Sequence, residues 1–400
     1  LSGASCAAIH STAAGMTRCP RSFKPPPAPP PQHLYHTTDL MRSKTLLFFL
    51  TLLLLATLLS ACTGATGIAT SWPGLTAQDG TAYLAYGQFV YAVNTGNGSE
   101  VWRFPREVGK GVEFYATPAL TVNDQVIVAS FDHKLYSINA ANGQQTWVFD
   151  KATDRYIAGP LVTETNIYAP NSDGNLYNLD LDGKLVWTFK TAGAIWGTPI
   201  ANPQCDCIYV ASMDRHVYAV DATSGQQVWQ SPELSGSIIG SPTFDPDNKS
   251  IYVGTIGQEM VALNAENGQV RWTAPCNDWV WSGPLLAEGA LYFGDEQGNF
   301  YALDASDGRQ VWKIQPLPDS PIVSKPTLEA GVVYYTTESE TVYGINPDGS
   351  IASTFNVAAR LFTSPVWVDG KLLVAEMEGE AFLTALNENG APQWLYVPAK

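Results

Sequence analysis

Cys205-Asp206-Cys207 is the tightest grouping of thiols in the chain, and two sulfurs one residue apart can bond to each other or supply half the ligand set of a tetrahedral metal. A metal needs about two further ligands, and nothing near in sequence supplies them. The pair lies just before an apolar run beginning at Ile208, where the next copy of the same segment reads Asn248-Lys249-Ser250 before Ile251. Structural loop cysteines are therefore expected, with a disulfide or a metal as the alternatives. His133 and His216 stand near Asp132 and Asp214 in what read as corresponding hairpin turns. Two imidazoles so far apart suit solvated turns better than an acid–base pair, so no catalytic residue and no metal site is expected.

A second set of residues is laid out by eight prolines, Pro73, Pro118, Pro160, Pro199, Pro242, Pro284, Pro326 and Pro365. Three residues before them sit Tyr115, Ile157, Trp196, Ile239, Trp281, Val323 and Phe362, and five before are Glu113, Arg155, Trp279 and Arg360. In extended chain these two positions share a face. Aromatic residues and arginine dominate recognition surfaces, so Glu113, Tyr115, Arg155, Trp196, Trp279, Trp281, Arg360 and Phe362 form a candidate contact surface for a protein, peptide or polymer. The plainer reading is that they pack neighbouring loops together.

What must position them is a repeat. Tyr218-Ala219-Val220-Asp221-Ala222-Thr223-Ser224-Gly225-Gln226-Gln227-Val228-Trp229 recurs in weaker and stronger copies from residue 91 to residue 394. The turn glycines Gly98, Gly143, Gly183, Gly225, Gly268, Gly308, Gly349 and Gly390 are 45, 40, 42, 43, 40, 41 and 41 residues apart. A period near 40 built from alternating β-branched and aromatic strands predicts an all-β fold, an eight-bladed β-propeller of four-stranded antiparallel blades. Asn or Asp precedes seven of the glycines and supplies the turn chemistry. Another Asn or Asp, three or four residues upstream, can accept from amides inside the turn. Four residues after the glycine comes Trp102, Trp147, Trp187, Trp229, Trp272, Trp312 or Trp394, a wedge for the space between sheets. The seventh copy departs, with Ser353 in that place and Phe355 two residues on. The prolines and the small residues before most of them place the first strand of each blade innermost, where strands crowd round an axis.

The pattern Ala-x-Asp-x-x-Thr/Asn-Gly-x-x-x-Trp resembles the PQQ-like β-propeller repeat of quinoprotein alcohol dehydrogenases and of BamB-type lipoproteins of outer-membrane assembly, and the resemblance covers residues 71 to 397. Its quinoprotein branch implies a calcium-bound quinone, a ring of adjacent cysteines and a catalytic aspartate on a longer chain. This sequence has no Cys-Cys pair and no Cys-x-x-Cys-His haem site. The expected function is thus a non-enzymatic, monomeric scaffold without cofactor that binds protein or peptide partners. The alternative is an oxidoreductase that uses PQQ and calcium on alcohols or sugars.

Residues 1–40 lack periodicity and include a proline run from Pro25 to Pro31, so they cannot build a core. The chain opens on Leu1, and translation is expected to begin at Met41, with 1–40 a gene-model extension. Residues 41–61 read as a secretory signal, with Arg42 and Lys44 ahead of an apolar run from Thr45 to Leu59. Leu59-Ser60-Ala61-Cys62 resembles a bacterial lipobox, which implies lipidation of Cys62, a short tether over 62–70 and an extracytoplasmic protein anchored to the envelope. The propeller then occupies 71–400. From Cys62 onward 17 basic and 36 acidic residues leave a charge of −19, which repels nucleic acid and anionic headgroups.

Overall fold

The computed structural model describes residues 72–399. The expected extension, signal, lipidation site and tether fall outside them.

Each repeat folds as one sheet. In the first, β1 (Gly74–Gln78), β2 (Thr81–Tyr86), β3 (Phe89–Asn94) and β4 (Glu100–Phe104) pair antiparallel in chain order, and seven further sheets repeat that order over 119–149, 161–190, 200–230, 243–275, 285–314, 327–356 and 366–396. The architecture is an eight-bladed propeller. The innermost strand begins directly after its proline in every blade, so the proline precedes the strand instead of lying within it, and its missing N–H costs no ladder bond. Inner strands abut: Thr198 N–H donates to Ser241 Oγ, Thr198 Oγ1 to Gly159 O and Thr243 Oγ1 to Pro284 O, at 3.0, 3.0 and 2.6 Å.

The hydrophobic core is not central but divided into eight interfaces, because successive residues of the middle strands point to opposite sheet faces. Tyr209, Ala211, Val217 and Ala219 of the fourth blade meet Ile251, Val253, Val261 and Leu263 of the fifth. Leu84, Tyr91 and Val93 of the first meet Leu373, Ala375 and Leu383 of the last, which closes the ring without exchange of a strand among the described residues.

The repeated turn explains the wedge. A bulge just before the third-to-fourth strand turn shifts the register in every blade and sets the tryptophan opposite a small partner, as in Ala92↔Trp102, Ala219↔Trp229 and Ala385↔Trp394, except in the third blade, where Trp187 faces Asn178. The indole lies over the turn glycine of the next blade and donates to a carbonyl there: Trp229 Nε1 reaches Ala265 O at 3.1 Å, and Trp394 Nε1 reaches Thr95 O at 3.0 Å across the closure. Gly268 holds φ +72°, and a Cβ there would meet the Trp229 ring at 2.5 Å, so both backbone and space demand glycine. Two turn details differ from expectation. The Asn or Asp before the glycine does not itself take a positive φ; in five copies its side chain accepts the amide beyond the glycine, as Asn267 Oδ1 does from Gln269 N–H at 3.1 Å, and in two the upstream Asp180 or Asn387 accepts it instead. The upstream acceptor works in seven copies, whereas Asn346 donates to Ser350 Oγ at 3.0 Å. At the seventh interface Phe355 takes the wedge position against Gly390 and brings no N–H donor.

Candidate functional site

Antiparallel order sends the second-to-third strand hairpins and the blade-to-blade linkers to the same face of the ring, opposite the glycine turns. Each linker threads between two hairpins. Four residues before the proline stand Phe114, Tyr156, Ile195, Ile238, Val280, Ile322 and Leu361, all almost fully buried. The residue before each of these, five ahead of the proline, offers its carbonyl to the hairpin of its own blade: Glu113 O accepts from Phe131 N–H, Arg155 O from Ser172 N–H, Trp279 O from Glu296 N–H and Arg360 O from Met377 N–H, at 2.9, 3.2, 3.1 and 3.0 Å. Period two therefore holds without a strand, and the buried anchors were the part of the pattern that sequence reading passed over.

The eight predicted contact residues do not gather into one collar. One group runs over the first four blades: Tyr86 packs on Tyr115 at 6.4 Å, Tyr115 on Phe131 at 5.2 Å, and the Arg155 guanidinium lies 5.4 Å from the Phe131 ring centre. Burial, with Glu113 second, pushes the Tyr115 phenol up to about 12. Arg155 and Trp196 line one cleft of about 380 Å³ with Phe131, His133, Asp154 and Ser172. Trp196 Nε1 donates to Ser172 Oγ at 3.1 Å, which fixes the indole, while Arg155 is exposed.

A second group crosses the opening. Trp72, ahead of the first blade, stacks on Phe362 at 5.6 Å and meets Trp281 edge-on at 5.7 Å. Trp281 belongs to the linker before the sixth blade, which is not a neighbour of the first, so these rings span the axis. Arg360 lies 4.8 Å from the Phe362 ring centre and pairs with Glu338 and, at 3.7 Å, with Glu378. Trp279 stands apart with 45% of its surface exposed, beside Glu296, whose carboxyl is held above its ordinary value by burial and then by Asp278 and Asp295. Trp72 and Tyr86 were missed because they sit outside the two positions that the prolines index.

The remaining polar groups are structural. His133, at φ +68°, matches Arg215 at φ +74°, while His216 matches Lys134, so the two histidines are offset by one residue and not equivalent. His133 is exposed on the cleft; His216 is not simply solvated, because its Nδ1 lies 2.9 Å from Ser231 O. Asp132, Asp173 and Asp214 each accept from a tyrosine four residues on, at 2.6, 2.7 and 2.8 Å, and brace their hairpins. Cys205 and Cys207 are joined as a disulfide, which corrects the expectation of free loop thiols. Burial pushes the Cys276 thiol up to about 12, which keeps it protonated near neutral pH. Among the described residues no three His, Cys, Asp or Glu side chains converge as metal ligands would.

Comparison with known proteins agrees with this construction. The family described as "Beta-alanine-activating enzyme, beta-propeller" matches residues 115–395. Outer membrane protein assembly factor BamB of Escherichia coli (strain K12) is 32% identical over 92 residues, 21% of this chain and 24% of that protein. The same factor of Yersinia pestis is 32% identical over 116 residues, 26% and 29% of the two chains. These matches span about a quarter of the relatives' length. The crystal structure of BamB from Moraxella catarrhalis superposes with a TM-score of 0.65 at 17% identity, over 76% of this chain and 90% of that one. A europium-containing methanol dehydrogenase superposes with a TM-score of 0.63 at 13% identity, over 77% and 82%. Both are likenesses of fold alone. The chain belongs to the β-propeller family described for the beta-alanine-activating enzyme, as a BamB-like propeller of PQQ-type repeats.

Proposed function

We propose that this propeller is a non-enzymatic scaffold outside the cytoplasm, tethered to the bacterial envelope through lipidated Cys62, that binds protein partners on its linker face. The observation that carries the reading is the cleft where Arg155 lies over Phe131 beside a hydrogen-bonded Trp196. Rigid aromatic rings with an exposed guanidinium combine contact area with a directional charge at small entropic cost, the composition of interaction hot spots. Kinship with outer membrane protein assembly factor BamB supports a role in assembling outer-membrane proteins.

Photo-crosslinking groups placed at Arg155 and Trp279 in the living bacterium test this. The reading expects discrete protein adducts at both, and none at Val228 on the outer rim. Adducts only at Val228 would contradict it. Mass spectrometry of the envelope form should find acyl chains on Cys62, and Cys62→Ala should release the protein from membranes. The second reading, a quinone-dependent oxidoreductase, is favoured by the fold shared with a methanol dehydrogenase. Incubation with PQQ and calcium separates the two: the scaffold reading expects neither a bound-cofactor spectrum nor dye-linked alcohol oxidation.

A further inference from the structure

At the residue just before the proline, six blades carry Thr117, Gly159, Thr198, Ser241, Gly283 or Ser364, and the seventh blade carries Lys325. Small residues are required where neighbouring linkers meet backbone to backbone: a Cβ on Gly159 or Gly283 would strike the carbonyl of Thr117 or Ser241. Lys325 escapes that limit by turning inward. Its Nζ reaches past the sixth blade to Thr243 Oγ1 in the fifth, at 3.4 Å, so the ammonium lies on the axial side of the ring.

That ammonium is short of partners. It has three N–H donors, and its one hydrogen bond among the described residues is this long one to a neutral hydroxyl. No carboxylate pairs with it there, although the chain has 37 acidic and only 22 basic residues. Enclosure by protein lowers its proton affinity, the sign of a charge that lacks compensation. Two hydroxyls of the same ring also have a hydrogen to give. Ser364 Oγ accepts the backbone N–H of Lys325 and Ser241 Oγ that of Thr198, both at 3.0 Å, and neither hydroxyl donates to an acceptor among the described residues.

We propose that the axial ring at Lys325 is an anion site that takes a carboxylate or phosphate group, with Lys325 supplying the charge and Ser241 and Ser364 further donors. A site with several donors and no carboxylate acceptor selects oxyanions, because each unsatisfied N–H or O–H gains a charge-assisted bond. The site is separate from the partner-binding cleft and stands or falls independently of it.

Thermal unfolding of the purified protein in sodium phosphate, sodium acetate and sodium chloride at matched ionic strength tests the site. A saturable rise in Tm of about 3 °C over chloride is expected at a hundredfold excess over Kd. A response to phosphate alone or to acetate alone would identify the group bound. Lys325→Met should melt no lower than the parent in chloride and lose the anion response, and Lys325→Arg should keep it. Equal Tm values in all three salts, or an undiminished response in Lys325→Met, would overturn the assignment.

Discussion

The two faces of this ring are built from the same repeat and behave differently. On the glycine-turn face, side chains repeat: seven indoles donate to the next blade at 2.8 to 3.2 Å, each over a glycine. On the linker face the backbone pairing repeats just as faithfully, but the side chains beside it change from Glu113 to Arg155 to Trp279 to Arg360. The contrast teaches that a propeller's geometry can be held by main-chain bonds and one buried anchor per linker. Outward residues are then free to differ from blade to blade, whereas the wedge is tryptophan at seven interfaces and phenylalanine at one.

The largest expected effect falls on the glycine-turn face. Trp229→Ala should cost about 3–5 kcal/mol in denaturant unfolding, since it empties a wedge and takes the indole N–H from Ala265 O, which keeps only the Tyr209 hydroxyl as donor. Phe355→Ala should cost less, because no hydrogen bond is lost there. Next, Gly268→Ala should cost about 1–3 kcal/mol by driving a methyl into the Trp229 ring at a positive φ. On the linker face the sign of the comparison reverses. Arg155→Ala should change stability by no more than about 0.5 kcal/mol, and Arg155→Ala or Trp196→Ala should weaken partner binding about tenfold or more by calorimetry.

The smallest effect lies inside the last blade. Glu376 is buried with Thr384 donating to it, and burial holds its carboxyl above the ordinary value. An acid that keeps its proton more tightly when folded stabilises the fold fully below its unfolded pKa and loses that contribution as pH rises through the folded one. Glu376→Gln should therefore melt higher than the parent near neutral pH, with the difference shrinking as pH falls towards 4.5. A constant difference across that range would contradict it.

Legibility follows the same division. Whatever the chain says eight times is plain in the sequence: the turn glycines, the tryptophans, the strand order and the inner prolines. What it says once is hidden. Lys325 and Trp72 are single departures at a position otherwise small, and only the closed ring shows that one points to Thr243 and the other to Trp281. The candidate contact residues were chosen by their spacing, but spacing along a chain does not tell which linkers face one another across an axis. They consequently fall into two groups, with Trp279 apart. The one-residue offset between His133 and His216 was legible once Asp132 is set against Asp214 and Tyr136 against Tyr218, which puts one histidine directly after its aspartate and the other two residues after.

The central claim is that the linker face binds and the glycine-turn face holds. The most direct measurement is partner affinity and Tm for the variant with Arg155, Trp196, Trp279 and Trp281 all changed to alanine, using the partner isolated by crosslinking. The account predicts a loss of affinity of about a hundredfold or more with a Tm within a few degrees of the parent. Unchanged affinity in a folded variant would contradict it.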